Sequence, residues 1–182
     1  MIEKAKSRRG FLTMGIGAAA ALVVTNPVEA AVRRLPERSL HLYNTHTGES
    51  LKSVYWAEGR YQTKTIAQVS RFLRDHRNGS IHPIDPRLLD LMVSVQHKVG
   101  AKGAIHIISG YRSPATNAIL ASYGDGVATH SLHMEGKAVD IRLPGHPVRY
   151  VGRAARALKG GGVGVYPDSD FVHIDTGRVR TW

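Results

Sequence analysis

No cysteine occurs among the 182 residues. A disulfide, a thiolate nucleophile, a thiolate zinc site and a lipid-bearing cysteine are therefore all excluded. Long apolar stretches are lacking too: the run at 14–24 is Gly/Ala-rich and only about a dozen residues, where a membrane span needs roughly 20. Acidic residues are scarce, 14 against 25 Lys and Arg, which gives a net charge of +11. Such an excess favours polyanionic partners. Nucleic acid has little claim to be that partner, because the chain has neither an arginine-rich helix nor an aromatic-basic repeat. No internal repeat or low-complexity tract follows the N-terminal segment.

That segment reads as a processing signal. Ser7-Arg8-Arg9-Gly10-Phe11-Leu12 precedes the apolar run, and Val28-Glu29-Ala30 offers modest side chains at a cleavage position. The arginine pair is similar to a twin-arginine signal, although Thr13 stands where a lysine is often found, so the general secretory route is the alternative. Cleavage after Ala30 removes four basic and two acidic residues, leaving 152 residues with 21 basic against 12 acidic side chains, a net of +9. One domain spanning 31–182 suits that length, and no membrane anchor is expected after processing.

Leu40 and Leu42 alternate with His41 and Tyr43, Thr47-Gly48-Glu49 turns, and 51–56 returns, which predicts a hairpin with His46 as turn chemistry. Ile66, Val69 and Leu73 predict a helix from about Thr63. Asp85-Pro86 caps a second, with Leu88, Leu91, Val95 and Val99 as its inward stripe and Gly100 as its stop. A buried strand at 104–108 leads through Gly110 into a helix capped by Ser113-Pro114, which leaves Arg112 at the corner. A loop at Gly124-Asp125-Gly126 follows. Pro147 opens a further helix with Val148, Val151, Ala155 and Leu158 inward. Gly160-Gly161-Gly162 then lets backbone pass close to something, a substrate being one candidate. Strands alternating with helices give an α+β domain: a small, mainly antiparallel sheet carrying a metal site, with helices packed on its other side.

Ten histidines are present, and most histidines on strands are structural or exposed. Two stretches stand apart. In the run at 130–141, His130-Ser131-Leu132-His133-Met134-Glu135-Gly136 reads as a loop that enters a strand. On that strand Val139 and Ile141 share one face while Asp140 points from the other. In Asp170-Phe171-Val172-His173-Ile174-Asp175, His173 and Asp175 likewise oppose Val172 and Ile174. His133, Asp140 and His173 form a ligand set suited to zinc, and three protein ligands leave an open coordination position.

The Ser-x-His-x-x-Gly-x-Ala-x-Asp pattern followed by His-x-Asp resembles the zinc peptidases of the lysostaphin, D-Ala-D-Ala metallopeptidase and hedgehog group. Within it the murein endopeptidases are the nearest likeness. The likeness extends through Asn44-Thr45-His46-Thr47-Gly48-Glu49, Ser109-Gly110-Tyr111-Arg112-Ser113 and Phe171-Val172-His173-Ile174-Asp175-Thr176-Gly177 to Trp182. It implies the fold of that group, one zinc per chain, and Arg112 facing the pocket to bind substrate and a developing oxyanion, with an ion pair inside the loop as the plainer role. Asp170 matches the acidic-x-x-His position and is the expected general base. Asp175 is the competing choice, or else the partner that orients an imidazole. His130 is a candidate transition-state donor and Asn117 a candidate substrate contact, whereas Glu135 reads as an exposed loop residue.

The implied function is a periplasmic zinc endopeptidase, a monomer, acting on peptidoglycan stem peptides and their cross-links. A zinc D,D-carboxypeptidase or dipeptidase on wall peptides, and a non-catalytic wall-binding module, are the alternatives. The complete ligand set argues against the module.

Overall fold

A computed structural model of the chain describes residues 27–32, 36–123 and 128–182. The arginine pair Arg8-Arg9, the apolar run at 14–24 and the loop at Gly124-Asp125-Gly126 lie outside the described residues. The helices are α1 (Pro27–Val32), α2 (Thr63–Phe72), α3 (Pro86–Val99), α4 (Pro114–Tyr123) and α5 (Val148–Leu158). The strands are β1 (Arg38–Asn44), β2 (Ser50–Ala57), β3 (Arg60–Tyr61), β4 (Ile105–Ser109), β5 (Ala138–Arg142), β6 (Gly162–Tyr166), β7 (Phe171–Asp175) and β8 (Arg180–Thr181).

They form one eight-stranded sheet in the order β3-β2-β1-β4-β5-β7-β6-β8. Most neighbours are antiparallel, with β1–β4 and β6–β8 parallel. The fold is thus α+β with a mixed, mainly antiparallel sheet. The expected elements form for local reasons. The Asp85 side chain accepts the Arg87 amide and Gly100 takes the left-handed conformation at φ +78°, so both ends of α3 carry their own stop signals. Ser113 Oγ accepts the Thr116 amide at the start of α4.

One sheet face supplies the core. Leu42, Ile105, Ile107, Val139, Ile141, Val172 and Ile174 are buried together with Leu88, Met92 and Val95 of α3 and Val151, Ala155 and Leu158 of α5. Burying each large aliphatic chain contributes about 1.5–3 kcal/mol, so this layer holds the strands rigid beneath the site. Asp90 of α3 breaks the apolar stripe, and its buried carboxylate is answered in full. Arg38 Nη1 donates to both oxygens at 2.9 and 3.0 Å, Tyr55 donates at 2.9 Å and Tyr61 at 2.6 Å. Burial, with Asp90 alongside, pushes both phenols well above their ordinary range.

α1 sets Val28 and Val32 into the same core, with Ser94 Oγ of α3 3.5 Å from the Val28 carbonyl. The expected cleavage point after Ala30 falls inside this helix. The short strand β8 has no periodic pattern of its own, yet it closes the sheet beside β6.

Candidate metal centre

The ligand residues stand on two paired strands and one turn. Asp140 of β5 lies directly opposite His173 of β7 in the antiparallel register, so both side chains leave the sheet on the face away from the core. His133 comes from Leu132–Glu135, a single 3-10 turn where the sequence suggested plain loop. Ser131 caps that turn, and Gly136 ends it in the left-handed conformation at φ +64°. A side chain at Gly136 would run into the Pro83 carbonyl, so only glycine fits this reversal into β5.

All three residues are buried, and their ligand atoms converge. Asp140 Oδ1 lies 2.9 Å from His173 Nδ1 and 3.3 Å from His133 Nε2, and the two nitrogens are 3.2 Å apart. The outer nitrogens have acceptors of their own. His133 Nδ1 sits 2.7 Å from the Gly110 carbonyl, and His173 Nε2 sits 3.1 Å from Asp175 Oδ2. Both partners can only accept, so once a cation takes the inner side, where Asp140 also faces His173 Nδ1, each neutral imidazole spends its one proton outward. Two lone pairs and a carboxylate then face one point, an arrangement that calls for a positive charge. A tetrahedral ion with bonds of roughly 2.0–2.1 Å has ligand edges of about 3.3 Å, and the observed separations fall close to that value. These residues fit a divalent cation such as zinc. Burial alone would lower the basicity of His173, but Asp140 and Asp175 outweigh it and raise its pKa. Burial opposes ionisation of Asp140, and His133 and His173, when protonated, overcome it and hold the carboxyl well below the usual range; with both rings neutral, a bound cation would supply that charge instead.

A cavity of about 430 Å³ opens over the three ligands. Arg112 lines it from the corner between β4 and α4, with Nη2 3.6 Å from Asp140 Oδ2 and 3.4 Å from Ser109 Oγ. Among the described residues its buried Nε has no hydrogen-bond partner, and burial lowers the pKa of the guanidinium. A pre-positioned cation with donors to spare faces the cavity.

Residues 33–182 match the family described as peptidoglycan L,D-endopeptidase MepK, Peptidase_M15_2. The chain belongs to this family. It is similar to the peptidoglycan L,D-endopeptidase MepK of Escherichia coli K12, 39 % identical over 176 residues that make up 97 % of each chain. It is also similar to the probable peptidoglycan L,D-endopeptidase MepK of Haemophilus influenzae, 36 % identical over 178 residues covering 97 % of this chain and 96 % of that one.

Within this M15-type site the sequence-derived acids lie in unequal places. Asp170 ends the β6–β7 turn at φ +51°, exposed, and its carboxylate pairs with Arg142 at 2.8 Å. It does not line the cavity over the ligands. The strand alternation explains this: residues 171, 173 and 175 share the ligand face, and 170 falls on the turn before it. Asp175 is completely buried beneath His173. Its Oδ1 accepts the Gly162 and Gly177 amides and Arg180 Nη1, and its Oδ2 accepts His173 Nε2–H and Arg180 Nη2. Despite the opposing effect of burial, these donors hold the carboxyl far below its ordinary pKa. With every lone pair engaged, it lies against His173 Nε2 from below.

His130 is exposed and lines the cavity rim. Glu135 pairs with Lys137 at 2.7 Å on the surface. Asn117 is buried and donates to the Ala128 and Thr129 carbonyls, so it braces the loop before the site rather than facing the cavity. The glycine run at 160–162 approaches Asp175 and Arg180 instead of the cavity, since side chains at Gly161 and Gly162 would collide with them. His46 stacks on His76 with ring centroids 4.0 Å apart, and its Nε2 is 3.0 Å from the Ile108 carbonyl.

The sequence reading missed the aromatic wall. Tyr166, Phe171 and Trp182 line the cavity, Tyr166 stacks on Phe171, and Trp182 Nε1 donates to the Tyr166 hydroxyl at 2.7 Å. Arg180, also missed, ties Asp175 to this wall with its guanidinium 4.9 Å above the Trp182 ring. The parallel β6–β8 pairing brings these residues to the site, and no local pattern announces it.

Proposed function

We propose that this chain is an exported zinc endopeptidase that hydrolyses peptide cross-links in peptidoglycan. The observation that carries the reading is the convergence of His133 Nε2, Asp140 Oδ1 and His173 Nδ1 on one point beneath a cavity lined by Arg112. Peptidase_M15_2 membership and relatives named for peptidoglycan L,D-endopeptidase activity favour the wall as substrate. Cross-links joining two diaminopimelates, as well as those joining D-Ala to diaminopimelate, are the proposed bonds.

When bound, the cation supplies Lewis-acid activation of a water and of the scissile carbonyl. Gly110 and Asp175 keep both imidazoles in the ligating tautomer. Arg112 binds a substrate carboxylate or the oxygen on which charge develops, since a fixed guanidinium suits either. His130 is the proposed proton carrier, because Asp170 points to Arg142 and Asp175 is fully engaged. It takes a proton from the attacking water and gives it to the departing nitrogen as the carbon–nitrogen bond breaks, leaving one carboxylate and one amine. Phe171 and Leu132 give the cavity apolar walls that thin out competing water.

The periplasm is the proposed location and a monomer the proposed state. The twin-arginine route is the proposed export path: replacing Arg8 and Arg9 by Lys should leave unprocessed precursor in the cytoplasm. The deciding experiment digests purified sacculi with the mature protein, with and without a chelator, and separates the muropeptides. Conversion of cross-linked dimers to monomers, abolished by the chelator, is expected. Shortened stems with intact dimers would mean a carboxypeptidase, and binding with no product under any metal would leave only a wall-binding module.

A further inference from the structure

The positive charge of the chain gathers beside the cavity. On α5 the inward residues Val151, Ala154, Ala155 and Leu158 leave Arg149, Arg153 and Arg156 together on the outward face, at spacings of four and three residues. All three are exposed, and among the described residues none has a carboxylate partner. Of the acids on the adjoining β6–β7 turn, Asp170 is taken by Arg142, and Asp168 forms no ion pair among the described residues. Like charges at helical spacing repel, so this face is held at a cost that an anion would relieve.

The three arginines line a cleft of about 520 Å³ with Val165, Pro167 and Trp182. Trp182 also lines the catalytic cavity, so one indole is a wall of both spaces. A cross-link joins two stem peptides, and a cavity of about 430 Å³ holds little beyond the residues flanking the scissile bond. One stem must leave it, and the cleft on the other side of the shared Trp182 is lined by the arginines.

We propose that the Arg149, Arg153 and Arg156 face of α5 is a carboxylate-binding subsite for the second stem peptide of a cross-linked substrate. This rests on the endopeptidase reading of the neighbouring cavity. Guanidinium forks match carboxylates in two-point contact, and three in a row suit a peptide with carboxylates at its terminus and side chains. A cleft that shares a wall, Trp182, with the cavity favours a peptide over a flat lipid surface.

The test compares the mature protein with the variant R149Q/R153Q/R156Q in co-sedimentation with native sacculi, with carboxyl-amidated sacculi and with anionic phospholipid vesicles. Cleavage of a soluble cross-linked muropeptide is followed in the same samples. Since the side chains are exposed, thermal unfolding of the variant should match the wild type. Exposed charge pairs are individually modest, so the triple change should weaken binding to native sacculi roughly tenfold and flatten its salt dependence. Amidated sacculi should bind the wild type as weakly as native sacculi bind the variant. The variant R149K/R153K/R156K, which keeps charge but not the fork, should fall between. Equal sedimentation of wild type and Gln variant with native sacculi overturns the inference, as does equal binding of the wild type to native and amidated sacculi. Arginine-dependent binding to vesicles but not to sacculi overturns it in favour of a membrane surface. If arginine-dependent carboxylate binding is found but no muropeptide is cleaved, the endopeptidase reading fails and this subsite stands.

Discussion

Asp175→Asn changes one atom type and should disable the metal site from beneath. The carboxylate receives five donors: three at Oδ1, of which two are backbone amides, and two at Oδ2. The asparagine oxygen must stay at the Oδ1 position, where the amides of Gly162 and Gly177 cannot move. Its NH2 group then faces Arg180 Nη2 and His173 Nε2–H, donor against donor. An unmatched buried polar group costs about 1–3 kcal/mol, and loss of the charge partner of Arg180 adds to it, so unfolding stability should drop by roughly 2–4 kcal/mol. The nearest relief is for His173 to move its proton from Nε2 to Nδ1. That nitrogen lies 2.9 Å from Asp140 Oδ1 and 3.2 Å from His133 Nε2, so relief removes a lone pair from the ligand set. Metal affinity should therefore fall about 10–100-fold. Chelator competition measures the affinity, nitrogen NMR of the imidazoles reads the tautomer, and urea unfolding gives the stability. Wild-type metal affinity together with an unchanged His173 tautomer would refute the reasoning.

Asp170→Asn removes only a surface pair with Arg142, so turnover of cross-linked muropeptides should stay near wild type, while His130→Gln should lower it by roughly 10²–10⁴-fold with metal content unchanged; the opposite pattern in kinetics and elemental analysis would restore Asp170 as the base. Gly136→Ala forces an alanine to φ +64° and against the Pro83 carbonyl, so it should cost about 2 kcal/mol or more in urea unfolding and loosen the metal by shifting His133. Burial, aided by the neighbouring His46 and Arg77, pushes His76 down to about 4 from an ordinary 6.5. The unfolded state therefore binds its proton more readily. The His76 contribution to stability is complete above about pH 6.5 and is lost as pH falls through that value toward 4. Unfolding of His76→Gln across pH 4–7 should show a shallower rise in stability than the wild type.

Most elements of this chain announce themselves locally. Asp85-Pro86 and Gly100 delimit α3 because caps and a left-handed stop act over a few residues, and the two-residue alternation around Asp140 and His173 predicts which side chains leave the core. The residue types at 133, 140 and 173 were enough to suggest a cation. Sequence separation hid the rest. Which nitrogen of each histidine faces inward depends on the Gly110 carbonyl and on Asp175, held in place by strand pairing and by a turn 23 residues away. Asp170 and Asp175 each lie close to His173 in sequence, yet one ends on a turn against Arg142 and the other is buried under Arg180, since pleat and turn geometry rather than spacing decide direction. Trp182 reaches Tyr166 through a parallel pairing of two residues. The arginines of α5 are plain in the sequence as a helix face, but only the packing of that helix beside β6 sets them next to the catalytic cavity, because the proximity of two surfaces is a property of the assembled sheet.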